Sequence, residues 1–274
     1  MPQPQNPHAP EPATPLLDPA AEHTFTPSSD PEAYTGALAV LEELTLAFAG
    51  AAEDARRQPD GLARAVPACP GWSIEQLVDH LAQVHRWAAA TLGAESAPAR
   101  PPRPAGQDPV EWYRASAAHL LGRLRSAGPA APAWTMWGEP VAAFWARRQV
   151  HETCIHVFDI LDALGRPHEW RPDPALPVDG IREILFSLYP RQVRLGRTAG
   201  LAGVVRFEVT HDAGLPPAAL VSPGVGEGAA GAEVQLGTVA ARAEEVYLGL
   251  WGRRPLPGVP AALAEALRSA KLTP

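Results

Sequence analysis

Cysteine is scarce in this 274-residue chain: Cys69 and Cys154 are the only two, too few for a disulfide framework. Positive charge is also short, since 23 Lys and Arg face 30 Asp and Glu, a net charge of -7. That balance gives no electrostatic footprint for nucleic acid or for an anionic membrane surface, and neither is expected as a partner. No basic amino-terminal stretch followed by an apolar core reads as a signal peptide. No run approaches the roughly 18 continuous apolar residues of a transmembrane helix. These absences point to a protein of the reducing cytoplasm.

What the chain does have is an ordinary globular apolar share, 46%, and an unusual number of prolines, 32. Its length suits one large domain or two small ones. Residues 1–30 are rich in proline with Asn, Gln, Ser, Asp and Glu and lack apolar periodicity, so they read as a disordered tail. From Pro31 to about Arg57, Leu38, Leu41, Leu44 and Phe48 recur at helical spacing. A loop through Val66-Pro67-Ala68-Cys69-Pro70-Gly71-Trp72 follows. Ser73 with Gln76 then forms a capping-box pattern that starts a second helix toward Leu92. A third helix is expected over Asp108 to Ser126, stopped by Gly128-Pro129, and a fourth from about Val141 to Leu164. Residues 31–165 thus read as a four-helix bundle.

Composition changes after Gly165-Arg166-Pro167. Over residues 172–274 the pattern predicts a helix at Val178 to Tyr189, an alternating strand at Val204 to Thr210, and short strands at Ala219 to Ser222 and Glu233 to Leu236. Further helices are expected at Ala240 to Trp251 and Ala261 to Lys271. The expected class is α+β: a helical bundle, then a small α+β unit with an antiparallel sheet.

Chemistry concentrates on the second and fourth helices. Residues four apart on a helix lie within about 40° of each other, so Glu152 and His156 share one face. His151, five positions before His156, is about 140° away and should point elsewhere. The segment His151-Glu152-Thr153-Cys154-Ile155-His156 has one residue too many for the zincin pattern H-E-x-x-H, so Glu152 reads as a ligand and not as a base. His80 falls in the apolar stripe of its helix, between Leu77 and Val84, and faces the bundle interior. Any one histidine alone is more often a satisfied core residue than a ligand. Three ligand types converging, His80, Glu152 and His156, suit a divalent ion with an open position: zinc first, with Fe²⁺ or another first-row ion as the weaker choice.

The segment Val66-Pro67-Ala68-Cys69-Pro70-Gly71-Trp72-Ser73 leads into Asp79-His80-Leu81. Likewise, Phe144-Trp145-Ala146-Arg147-Arg148 leads into His151-Glu152, His156 and Asp159. In these residues the chain resembles the mycothiol-dependent maleylpyruvate isomerase family, part of the wider DinB-like metal-binding four-helix bundles. The resemblance spans residues 35–165 well and the carboxy-terminal unit more loosely, through Leu250-Trp251-Gly252-Arg253. It implies zinc held by His80, Glu152 and His156, a second domain related to sterol carrier proteins, and mycothiol docking with its sulfur at the metal. A metal-activated thiol is a nucleophile that needs no protein cysteine. Its addition to and elimination from the cis double bond of maleylpyruvate would isomerise it. Transfer to another electrophilic small molecule is the alternative outcome.

Arg253 is the candidate for holding a carboxylate of substrate or cofactor in its guanidinium fork, with a solvated arginine beside Arg254 as the equal alternative. Asp79 and Asp159 are candidates for orienting ligand imidazoles, Asp159 the better of the two. Cys69 and Cys154 are left out of the metal site, Trp72 reads as packing, and His85 as structural. Two other function classes stand beside the thiol enzyme: a zinc-dependent hydrolase, and a non-catalytic binding module with a vestigial metal site.

Overall fold

The computed structural model of the chain describes residues 30–210, 217–223 and 234–274. The amino-terminal segment read as a tail lies, up to residue 29, outside the described residues.

Each helix of the bundle begins where the local chemistry satisfies its free N–H groups. In α1 (Pro31–Arg56) the Asp30 carboxylate accepts from the backbone of Glu32 and Ala33, with Pro31 in the first turn. In α2 (Ile74–Thr91) the expected capping box forms: Ser73 accepts from the Gln76 backbone, and the Gln76 side chain accepts from the Ser73 backbone. Asp108 caps α3 (Pro109–Ala127) in the same way. By contrast, α4 (Ala142–Ala163) has no side-chain cap. Its first N–H groups instead reach loop carbonyls, Ala142 to Ala131 at 2.8 Å and Ala143 to Pro129 at 3.0 Å.

The bundle is organised around α4, which packs against α1 and α2. Within it only Arg147, Glu152 and Asp162 escape full burial, and all three are charged. A helix buried on every side is a central one, so its polar residues are enclosed and need partners. α1 lies along α4 and α3, with Leu41 and Phe48 fully buried. Judged by mean hydropathy, 1.3 over its best window, and not by continuous apolar residues, α1 is the one helix among the described residues long and apolar enough to cross a membrane. Its alanines raise that average.

A short 3-10 turn, Pro167–Glu169, leads from α4 to α5 (Ala175–Glu183). α5 runs through a π-helical stretch, Ile184–Leu188, into α6 (Tyr189–Arg194). Three strands follow: β1 (Val204–Thr210), β2 (Ala218–Val221) and β3 (Gln235–Arg242), in the order β2-β1-β3. β1 is central, with Val205, Phe207 and Val209 buried. The architecture is a helical bundle followed by a small α+β unit, as the sequence pattern implied.

The sheet departs from the expected antiparallel arrangement. β1 pairs β2 antiparallel but β3 parallel, with β2 and β3 on opposite edges of β1. The strand expected at Glu233 to Leu236 is longer, reaching Arg242, with Glu233 outside the described residues. The helix expected from Ala240 accordingly starts later, as α7 (Ala243–Leu250). The last helix, α8, spans Ala261–Ser269. α7 lies close against α5: a Cβ on Gly180 would stand 2.2 Å from the Tyr247 ring, so only glycine permits this approach.

His85 is fully buried on α2, with Nε2 3.1 Å from the Thr153 hydroxyl of α4. Burial pushes its pKa down from 6.5 to about 3, so it stays neutral in the fold while the unfolded chain protonates. Its contribution to stability is complete above pH 6.5 and is lost progressively as pH falls toward about 3. Denaturant unfolding across that range should give a shallower acid loss for His85→Gln than for the native chain. Parallel slopes would remove His85 as the source.

Candidate metal centre

His80 of α2 and Glu152 and His156 of α4 build the site. His80 Nε2 lies 3.3 Å from Glu152 Oε1, and His156 Nε2 lies 3.5 Å from the same oxygen. One ligand-type atom from each of the three residues lies within 4.8 Å of the others. The two imidazoles meet edge to face, with ring centroids 5.2 Å apart. Trp72 packs tilted against His80, with ring centroids 4.9 Å apart, so the indole contacts a site residue.

Glu152 faces two ways. Oε1 is turned to the imidazoles, while Oε2 accepts from Arg148 one turn earlier. Burial alone would raise its carboxyl pKa. The Arg148 guanidinium and the His156 and His80 hydrogen bonds outweigh burial and hold it well below the usual carboxylate range. Arg148 is itself 5% exposed, and its other arm donates to the buried Glu183 of α5 at 2.5 Å. The spacing of Arg148 and Glu152 was visible in the sequence, but no local pattern connects either residue to Glu183.

His156 is fixed from its far side. Its Nδ1 lies 2.9 Å from Asp159 Oδ2, which leaves Nε2 turned to Glu152. Asp159 is fully buried and receives a bidentate pair from Arg253, Nε to Oδ1 at 2.9 Å and Nη2 to Oδ2 at 2.7 Å. Burial would lower the His156 pKa, and the Asp159 and Glu152 carboxylates outweigh it and raise it. The Arg253 fork does hold a carboxylate, but it is that of Asp159 in the same chain. Arg253 also donates from Nη1 to the Trp251 carbonyl at 2.8 Å.

The other candidates sort by contact. Asp79 pairs with Arg103 at 2.8 Å and orients no imidazole. His151 points away from the triad, its Nε2 2.8 Å from Asp179, which Arg147 also grips. Cys69 Sγ lies 3.7 Å from Asp159 Oδ2. Burial and that carboxylate push its thiol pKa up to about 11, and it lies outside the His80, Glu152 and His156 group. Cys154 is buried, its thiol pushed up to about 12. A groove of about 340 Å³ lined by Leu44, Val157, Trp170 and Arg171 shares no residue with the triad.

The donor set fits a divalent first-row ion: two imidazoles and a carboxylate held anionic, with Arg148 behind Glu152 and Asp159 behind His156. Charge agrees. Glu152, Glu183 and Asp159 oppose Arg148 and Arg253, three negative groups to two positive. A dication would leave one positive charge, which one bound anion neutralises.

Residues 38–161 match the family model described as mycothiol maleylpyruvate isomerase N-terminal domain, which supports that family for this chain. The match includes His80, Glu152 and His156 and stops short of Glu183 and Arg253. No curated protein and no solved structure matches the chain.

Removing Arg148 leaves two buried carboxylates without a counter-charge, a loss of about 3–5 kcal/mol for a broken buried pair. Arg148→Met should therefore destabilise the protein by that order in chemical denaturation, and adding Glu183→Gln should restore part of it. Equal stability of native and Arg148→Met proteins would show that the cluster is not energetically coupled.

Proposed function

We propose that this chain, as a member of the mycothiol maleylpyruvate isomerase family, is a metal-dependent enzyme that uses a low-molecular-weight thiol, mycothiol, to isomerise or conjugate an electrophilic small molecule. The observation that carries the reading is the convergence of His80, Glu152 and His156 on one point between α2 and α4. These three residues would be the ligands, and zinc the ion their chemistry suits best. An ion there would supply a Lewis acid with a position left for a sulfur, which gives up its proton on binding.

The protein's own groups support that use. Asp159 holds His156 in one tautomer, with Nδ1 engaged and Nε2 presented. Arg253 holds Asp159 and so acts as a positioning residue for His156. Arg148 keeps Glu152 ionised and fixes which oxygen faces the imidazoles. Trp72 packs against the His80 imidazole and helps hold its ring in place. Burial pushes the thiols of Cys69 and Cys154 up, to about 11 and about 12, which favours an external thiol over a protein thiolate as the nucleophile.

This arrangement favours a thiol enzyme over a hydrolase. Water activation is most effective with a free carboxylate or imidazole as general base, and Glu152, Asp159 and Glu183 are each committed to arginine or histidine partners. A structural site is disfavoured too, since a closed site fills four positions with protein ligands and the cluster among the described residues holds three.

Elemental analysis should find about one divalent ion per chain, and His156→Ala should lose it. Purified mycothiol should raise the melting temperature of the metal-loaded protein and leave the stripped protein unmoved, because a ligand stabilises only the state that binds it. Full metal content in His156→Ala would overturn the ligand assignment, and a thiol-insensitive melting temperature would overturn the thiol.

A further inference from the structure

Glu152 has two carboxylate oxygens, and the fold leaves only one of them to the cluster. Oε1 stands between the imidazoles, 3.3 Å from His80 Nε2 and 3.5 Å from His156 Nε2. Oε2 accepts from Arg148 Nη2, one turn back on the same helix. A carboxylate at liberty to turn can give one oxygen or both to an ion. This one is held.

What holds it is the other arm of the arginine. Arg148 Nη1 donates to Glu183 Oε2 at 2.5 Å, and Glu183 is 1% exposed at the end of α5. A guanidinium is planar and rigid, so its two arms turn together and neither can leave its carboxylate without disturbing the other. The Trp251 ring flanks it, with its centroid 5.8 Å from Arg148 Cζ. At this depth water offers the arms no substitute partner, so breaking either pair is costly. The positive charge of Arg148 also sits on the Oε2 side, where it repels a dication from that oxygen.

We infer that Arg148, anchored by Glu183, is a specificity-determining residue for the metal: it limits Glu152 to one donor oxygen, Oε1. A site so limited offers two nitrogens and a single oxygen, which satisfies zinc with its four ligands better than manganese, which prefers six ligands rich in oxygen. This rests on the metal reading given above and adds which ion the site rejects. The selecting pair reaches outside the bundle, since Glu183 belongs to α5. A residue that touches none of the three ligands thus sets, through Arg148, how one of them can bind.

Two measurements test it. In protein labelled with ¹³C-glutamate, infrared difference spectra between zinc-loaded and metal-free states select the glutamate that meets the ion. A single-oxygen ligand should widen the gap between the asymmetric and symmetric carboxylate stretches. A narrowed gap, the mark of both oxygens on the ion, would overturn the inference on the native protein with no substitution needed. Competition titrations then compare zinc with manganese. Arg148→Met combined with Glu183→Gln removes one positive and one negative charge, so the cluster keeps its net charge while Oε2 is released. In that double variant the ratio of zinc to manganese affinity should fall about tenfold, the lower end of what groups behind a metal ligand contribute. Glu183→Gln alone, the milder change, should move the ratio in the same direction. An unchanged ratio in both variants, including equal weakening of the two ions, would mark Arg148 as a buried counter-charge only and overturn the inference. Failure of the native protein to bind either ion would defeat the metal reading itself.

Discussion

Arg148 sits in the interior between two carboxylates, and the rest of the site depends on that placement. An isolated guanidinium at this depth would be expensive, and so would an isolated Glu152 or Glu183. Together they hold Glu152 ionised and rotated, with one oxygen given to the arginine and the other left for the imidazoles. The same logic repeats on the other side, where Arg253 and Asp159 fix His156. Each ligand-bearing arm of α4 is thus backed by one buried arginine–carboxylate pair.

Both pairs draw on residues beyond the bundle. Glu183 ends α5, immediately before the π-helical stretch, and Arg253 follows α7. Trp251 lies beside both guanidinium groups, 5.8 Å from Arg148 and 5.6 Å from Arg253. The carboxy-terminal unit therefore helps scaffold the His80, Glu152 and His156 cluster. The close seating of α5 on α7 at Gly180 keeps these contributors in place.

Local rules made the bundle legible. Ser73 with Gln76, Asp108 with Pro109, and Gly128 set helix ends from side chains or backbone freedom within a few residues. The i,i+4 relation of Glu152 and His156 is likewise a property of one helix, so their shared face could be read directly. The sheet was harder, because β3 pairs parallel with β1 across a long separation, and a short alternating segment does not reveal its partner. The same limit hid Glu183 and the true partner of Arg253: a buried ion pair formed between distant elements leaves no spacing signal. Trp72 read as packing because an aromatic beside a helix start usually is; it took the position of His80 to show what it packs against.

A truncation after Leu164 would keep His80, Glu152 and His156 yet strip away Glu183 and Arg253, so Arg148 would lose one of its two carboxylates and Asp159 its bidentate arginine. The bundle carries the three donor side chains, and the segment that follows it carries half of what holds them in place.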